Sequence, residues 1–305
     1  MIYLMPDPRN PLGEDIFWQW ALREFPNSVL DTPTRIAKDD VLIRYSTHPG
    51  PIIFPESTIT MLWDMQYELK RVLQSNAWDE VLTVIDRAGF SSAKLTGYSS
   101  LMTPYYAHYN KPIDILPIGI DVDLFKPQDK RSMRARYGLP EHKRIGIWYG
   151  FTHPMKGFDR LCEYSRHNPE VFWIVVWRSE EESASFEGKF SRFVNVRPQQ
   201  FSELLSSADF FLASGRLRPF HMSEWEAMAC NTPLVILDGM QKDFVPSPTP
   251  RDDIFRLGWD RPTAKKTWLN YINQFIASKN EDSHSNNDLP CVPVLRHVPS
   301  RRPLR

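Results

Sequence analysis

Residues 223–237, SEWEAMACNTPLVIL, decide how this chain is read. Glu226 opens a turn of small residues, Ala227-Met228-Ala229-Cys230. A polar break follows at Asn231-Thr232-Pro233, and then the apolar run Leu234-Val235-Ile236-Leu237. Proline lacks the N–H a helix needs and clashes with the preceding turn, so Pro233 ends the helix. The β-branched run after it reads as a buried parallel strand. Small side chains let the helix lie close to its neighbour. The stretch is thus an α/β unit with a carboxylate at the start of its helix.

The same alternation extends outward from this unit. Strands are expected at 145–149, 171–177, 193–196 and 209–213, with helices at 158–166 and 201–207. Upstream, the pattern predicts strands at 2–5, 41–45, 81–85, 95–98 and 113–118. It predicts helices over 14–25 and 58–74. Residues 126–144 are polar and rich in turn formers, which marks a boundary. Strands alternating with helices imply parallel sheets, and two such runs imply two doubly wound domains facing each other across a cleft. The expected division is 1–128, 129–278 and a polar, proline-broken tail at 279–305 that ends in basic residues.

A length of 305 residues suits two domains of about 150 each. Apolar residues make up 42%, enough for two cores. Lys+Arg and Asp+Glu both number 37, so no global field gathers nucleic acid or membrane. The three cysteines are scattered without metal-ligand spacing, as in a reduced, cytoplasmic protein. The first residues show no signal-peptide pattern, and no apolar run approaches a transmembrane span.

Four segments, in order, resemble those of retaining GT-B glycosyltransferases of the glycogen-synthase-like superfamily (glycosyltransferase group 1, family 4-like). The first is LPIGIDVDLFKP at 116–127, similar to P-N-G-x-D-x-x-x-F-x-P with Ile118 in place of Asn. The second is GFTHPMKG at 150–157, similar to G-R-x-x-x-x-K-G, with Phe151 where arginine is common. The third is Arg197-Pro198 followed by ADFFLAS at 208–214. The fourth is the segment around Glu226, preceded in such proteins by a second glutamate eight positions upstream. That position here is Arg218.

The resemblance implies a GT-B fold and transfer from a nucleoside-diphosphate sugar to a hydroxyl acceptor. It implies no cofactor and no metal. Asp121 and Asp123 have D-x-D spacing but lie in the interdomain connector, so they are read as structural. Lys156 would neutralise the leaving diphosphate; a loop between a strand's carboxyl end and a helix N-terminus favours anions on physical grounds as well. Glu226 would bind the donor ribose. Gly150, Arg197, Arg218, Phe220, His221, Met222 and Ser223 would complete the donor site. Glu224, two residues from Glu226, would face elsewhere. On the acceptor side the candidates are Gly13, Glu14, His48 and His108. His48 is favoured as a catalytic group because it directly ends the strand, taken here to run over 41–47, and α/β clefts hold ligands at carboxyl strand ends. The acceptor would be a glycan, a lipid-linked sugar or a hydroxymethylated DNA base. A non-catalytic sugar- or nucleotide-binding relative is the alternative, motivated by Phe151 and Arg218.

Overall fold

The computed structural model describes residues 1–6, 15–62, 66–217, 219–237, 242 and 244–285. The first half builds a sheet from β1 (Ile2–Met5), α1 (Asp15–Glu24), β2 (Ser28–Leu30), β3 (Val41–Tyr45), β4 (Thr58–Met61), α2 (Gln66–Leu73), α3 (Asp79–Ser91), β5 (Lys94–Gly97) and β6 (Ile113–Ile115). Its six strands are parallel, in the order β2-β1-β3-β4-β5-β6.

The second half comprises α4 (Lys130–Arg136), β7 (Ile145–Gly150), α5 (Phe158–His167), β8 (Phe172–Trp177), β9 (Phe190–Val194), α6 (Pro198–Ser207), β10 (Phe210–Ala213), α7 (Met222–Ala229), β11 (Leu234–Ile236), α8 (Pro250–Arg256) and α9 (Arg261–Ser285). Its five parallel strands run β11-β10-β7-β8-β9. The central strands read as unbroken apolar runs because helices cover both faces. In β8, every residue from Trp173 to Trp177 is buried.

Two expectations fail in the first half. The segment 58–74 is not one helix: Thr58–Met61 is strand β4, and helix starts only at Gln66. Thr58 and Thr60 alternate with Ile59 and Met61, and all four are buried, as a strand covered on both faces requires. Conversely, 81–85 is not a strand but the middle of α3. Leu82, Ile85, Ala88 and Gly89 form one buried helical face there, and Asp79 and Glu80 favour the helix N-terminus. The polar stretch 126–144 contains a short helix, α4, started by Asp129, whose carboxylate accepts the Ser132 N–H at 2.8 Å.

Helix continues through residues 279–285, where the sequence suggests a tail. Helix α9 also leaves the second sheet and packs on the first. Ala264, Trp268, Ile272 and Phe275 recur at helical spacing and are all buried. Trp268 lies 5.4 Å from the Phe17 ring and donates to the Pro117 carbonyl at 2.9 Å. Tyr271 donates to Asp114 at 2.6 Å, and Lys279 to Ser57 at 2.6 Å.

The crossing is tied to the connector after β6. Ile120 N–H donates to the Trp259 carbonyl at 2.7 Å, and Arg261 N–H to the Ile120 carbonyl at 3.1 Å. Gly119 has φ +86°, and a Cβ on it would lie 3.1 Å from the Trp20 ring. Asp121 accepts the Leu124 N–H at 3.0 Å and pairs with Arg261 at 2.5 Å. This carboxylate is therefore committed to the connector. Among the described residues no helix is long and apolar enough to cross a membrane.

Candidate active site

In the second sheet the chain winds outward in both directions from β7: β8 and β9 lie on one side, β10 and β11 on the other. The loops leaving adjacent strands β7 and β10 must therefore separate, and a crevice opens at their carboxyl ends. The loop after β7 carries Lys156. The loop after β10 leads through His221 into α7, which carries Glu226.

The two loops are fastened to one another. Gly157 has φ +66° and packs on the Ser214 backbone so closely that a Cβ would overlap its carbonyl oxygen. Ser214 Oγ donates to the Lys156 carbonyl at 3.0 Å and accepts from Trp148 Nε1 at 2.9 Å. Arg216 N–H donates to the Met155 carbonyl at 3.0 Å, and its guanidinium pairs with Asp159. Gly150 is required by close approach, since a Cβ there would sit 2.7 Å from the Trp148 ring and 3.0 Å from Lys156 Cβ. Lys156 is thus directed inward, with Nζ 3.4 Å from His221 Nδ1.

Helix α7 begins with a reciprocal cap. The His221 side chain accepts the Glu224 N–H, and the Glu224 carboxylate accepts the His221 N–H at 2.8 Å. Glu224 is also paired with Lys242 at 3.1 Å, with both side chains only 2% exposed. Lys242 further donates to the carbonyls of Leu217 and Pro219 at 3.2 and 3.3 Å. Contrary to the expectation from its spacing to Glu226, Glu224 is not turned away: it lines the small pocket shared by Lys156, His221 and Ser223, where Lys242 neutralises it. His221 Nε2 is buried without a hydrogen-bond partner among the described residues. With Nδ1 accepting, the neutral ring carries its proton on Nε2.

The Glu226 carboxylate accepts no hydrogen bond from any described residue. Burial pushes its pKa up to about 7, against the opposing pull of Lys156 and Arg261. Desolvation draws the Lys156 ammonium down to about 8, with Arg178 and Lys242 adding to the fall and Glu224 and Glu226 opposing it. His221 is held well below its ordinary value by burial and then by Lys156 and Lys242. Tyr149, which feels the Glu226 charge, and Arg178, which acts on Lys156, line a cavity of about 550 Å³ together with Trp177, Glu181, Glu182 and Val196.

Not every sequence-derived candidate faces the crevice. Phe220 is core: it is 1% exposed and packs edge-on to Trp225. Met222 is half-buried against the core, while Ser223 lies beside Lys156 and His221. Arg197 is exposed at the start of α6, next to the cavity-lining Val196. Arg218, Gly13 and Glu14 lie outside the described residues.

His48 lies three residues beyond the end of β3, at the carboxyl edge near the β1–β3 switch of the first sheet, and its Nδ1 accepts the Gly50 N–H at 3.1 Å. His108 does not belong on the acceptor side of the crevice. It bonds Asp86 at 3.0 Å and meets the ring of Phe90, in the last turn of α3. That turn feeds β5, so it lies at the amino ends of the strands, opposite the cleft. Asp86 gathers His108 with Tyr67 and Tyr109 into a surface hydrogen-bond cluster.

The arrangement missing from the sequence reading is the group around Arg178, Lys242 and Arg261. Each acquires its surroundings only through partners distant in the chain. For Arg178 one signal was available, because it immediately follows the apolar run of β8 and so stands at a carboxyl strand end.

No protein-family model matches the chain. Solved structures of the same architecture include sucrose-phosphate synthase from Thermosynechococcus elongatus, at 14% identity and TM-score 0.58, covering 80% of this chain and 73% of that one. Anabaena HepE in complex with UDP and glucose aligns at 11% identity and TM-score 0.58, covering 93% and 98%. WaaG, a glycosyltransferase involved in lipopolysaccharide biosynthesis, aligns at 13% identity and TM-score 0.56 over 94% and 100%. The chain therefore has the GT-B fold of these glycosyltransferases.

In sequence it is similar to D-inositol 3-phosphate glycosyltransferases. The Segniliparus rotundus enzyme is 31% identical over 150 residues, 44% of this chain and 33% of that protein. The Mycobacterium tuberculosis enzyme is 30% identical over 136 residues, 40% and 28%. The chain spans about a third of the length of these curated relatives.

Proposed function

We propose that this chain is a retaining glycosyltransferase that moves a sugar from a nucleoside-diphosphate donor to a hydroxyl acceptor. The observation that carries the reading is the electrostatic coupling of Lys156 and Glu226, carried by the loop after β7 and the helix after β10, with their neighbours Arg178 and Tyr149 lining a cavity of about 550 Å³. The residues from 129 onward through β11 form the donor half, and the first sheet presents the acceptor. In the reaction, the bond from the anomeric carbon to the β-phosphate oxygen breaks. The acceptor oxygen bonds to that carbon on the same face, and its proton leaves with the phosphate. Lys156 stabilises the charge that grows on the diphosphate, and Glu226 holds the ribose so that the anomeric carbon is correctly placed. No cofactor or metal enters this scheme. His48 is the acceptor-side group in it, standing at the carboxyl edge of the facing sheet.

HepE was solved with UDP-glucose, which makes uridine nucleotides the first donors to try. A formal net charge of +0 offers duplex DNA no general attraction, so glycan or polyol hydroxyls are preferred over a DNA base. The test is incubation with UDP-, GDP- and ADP-sugars, following nucleotide release and the anomeric configuration of the product by NMR. A protein that binds nucleotide but neither hydrolyses nor transfers any donor is the non-catalytic relative instead, and an inverted product overturns retention.

Two further results are expected. Glu226→Gln should weaken nucleoside-diphosphate binding about 10- to 100-fold, the worth of a hydrogen bond to a charged group. Calorimetry showing unchanged affinity removes the ribose assignment. The pH profile of kcat/KM should be a bell with limbs near pH 7 and 8. Below the lower limb Glu226 is protonated and loses its charge; above the upper one Lys156 is deprotonated and loses its own. Bound diphosphate favours the ammonium, so the basic limb of kcat should lie above that of kcat/KM. A flat profile from pH 6 to 9 contradicts both roles.

A further inference from the structure

The loop after β7 carries one lysine, yet a departing diphosphate bears more negative charge than one ammonium neutralises. Position 151, arginine in the G-R-x-x-x-x-K-G pattern that 150–157 resembles, is Phe151. We propose that Arg178 supplies the second positive charge at the donor diphosphate, with Phe151 as the platform that orients it. The inference rests on the glycosyltransferase reading above and names a residue which that reading does not require.

Arg178 is the first residue after β8, the neighbour of β7 in the sheet. Its N–H donates to the Gly150 carbonyl at 2.9 Å, which fixes its backbone beside the start of the Lys156 loop. A second backbone bond joins the two loops, from Thr152 N–H to the Glu182 carbonyl at 3.1 Å. The guanidinium carbon lies 4.2 Å from the centroid of the Phe151 ring, within cation–π range. Its Nε donates to Glu182 Oε2 at 2.6 Å, and Nη2 pairs with the other carboxylate oxygen. A planar guanidinium held on one edge by a carboxylate and on one face by a ring has a set direction. Nη1 has no hydrogen-bond partner among the described residues, so its two N–H groups remain for a ligand.

The charge is placed where it matters, since Arg178 acts electrostatically on both Lys156 and Tyr149 and lines the cavity. The other cations near the crevice are ion-paired, as Arg178 is with Glu182, but Arg178 alone of them lines the cavity with Nη1 left unbonded by any described residue. Lys242 is locked to Glu224, and Arg261 is paired with Asp121. Phe151 and Arg178 together thus transfer a cation from the loop to the adjacent strand end.

The experiment compares binding of UDP, GDP and ADP with that of their nucleosides, by calorimetry on the full chain, in wild type, Arg178→Ala, Lys156→Ala and Phe151→Arg/Arg178→Ala. For the diphosphate bound most tightly, Arg178→Ala should weaken binding about 10- to 100-fold and leave the nucleoside within about twofold. The double variant should recover most of the loss, a rescue that a merely structural role would not give. Equal losses for nucleoside and diphosphate, or no rescue, overturn the proposal. Unchanged diphosphate affinity in Arg178→Ala, with a clear loss in Lys156→Ala, overturns it while the glycosyltransferase reading stands. A wild-type protein that binds none of the diphosphates defeats both.

Discussion

Lys156→Ala is expected to lower kcat about 10²–10³-fold, the loss seen when one preorganised donor to a developing anion is removed. The argument starts from the backbone. Pro154–Lys156 is a single 3-10 turn, begun by His153, whose Nδ1 accepts the Met155 N–H at 3.2 Å. It ends at left-handed Gly157, which only a residue without Cβ can occupy so close to Ser214. The turn therefore delivers Lys156 to one place, and its desolvated ammonium gains most when an anion forms beside it. Such a contact strengthens as the sugar–phosphate bond breaks, so kcat should fall more than KM rises. Lys156→Arg should recover little, because the loop is packed against Gly150 at Lys156 Cβ. Steady-state kinetics on the donor identified in the nucleotide-sugar screen checks this. The same variant should lack the basic limb of the pH profile. A tenfold loss or less, or a loss confined to KM, would reduce Lys156 to a simple binding group.

What the sequence disclosed depends on how much each element owes to its own residues. Strands β7, β8, β10 and β11 are readable to within a residue or two, because parallel strands under helices are continuous apolar runs with short, well-marked breaks. The first half was ambiguous. Ile59, Met61, Leu62, Met65, Leu69 and Val72 satisfy a helical stripe, and the break between β4 and α2 contains no proline or glycine to announce it. Residues 81–85 carry enough β-branched character to resemble a strand; the helical face appears only when Ala88 and Gly89 are counted with Leu82 and Ile85. Strand β2, three residues at the sheet edge, has too few side chains to show a period. Lys156 and Glu226 were legible because each sits in a local string. The Glu224–Lys242 and Asp121–Arg261 pairs were not, since partners 18 and 140 positions apart meet only through the fold. His108 misled because a histidine near aromatic residues looks the same in sequence at either end of a sheet.

Lys242→Met is expected to destabilise the protein by about 3–5 kcal/mol, the cost of leaving one member of a buried ion pair uncompensated. Glu224 would then keep a charge at 2% exposure with only the His221 N–H to satisfy it. The carbonyls of Leu217 and Pro219 would lose their donor as well. Urea melts should therefore show a lower midpoint with little change in slope. The double variant Glu224→Gln/Lys242→Met removes both charges, so it should be clearly more stable than Lys242→Met alone. If the single and double variants melt alike, the pair does not couple and the ammonium acts only through the loop carbonyls. Function separates the two explanations further. Glu224 and His221 cap the helix that carries Glu226, so loosening the cap displaces the ribose contact and the Lys156–His221 approach together. In the double variant, nucleoside-diphosphate affinity should thus fall even where the protein is fully folded, because the cap at 224 is no longer held by Lys242 to the carbonyls of Leu217 and Pro219 and so positions α7 less firmly.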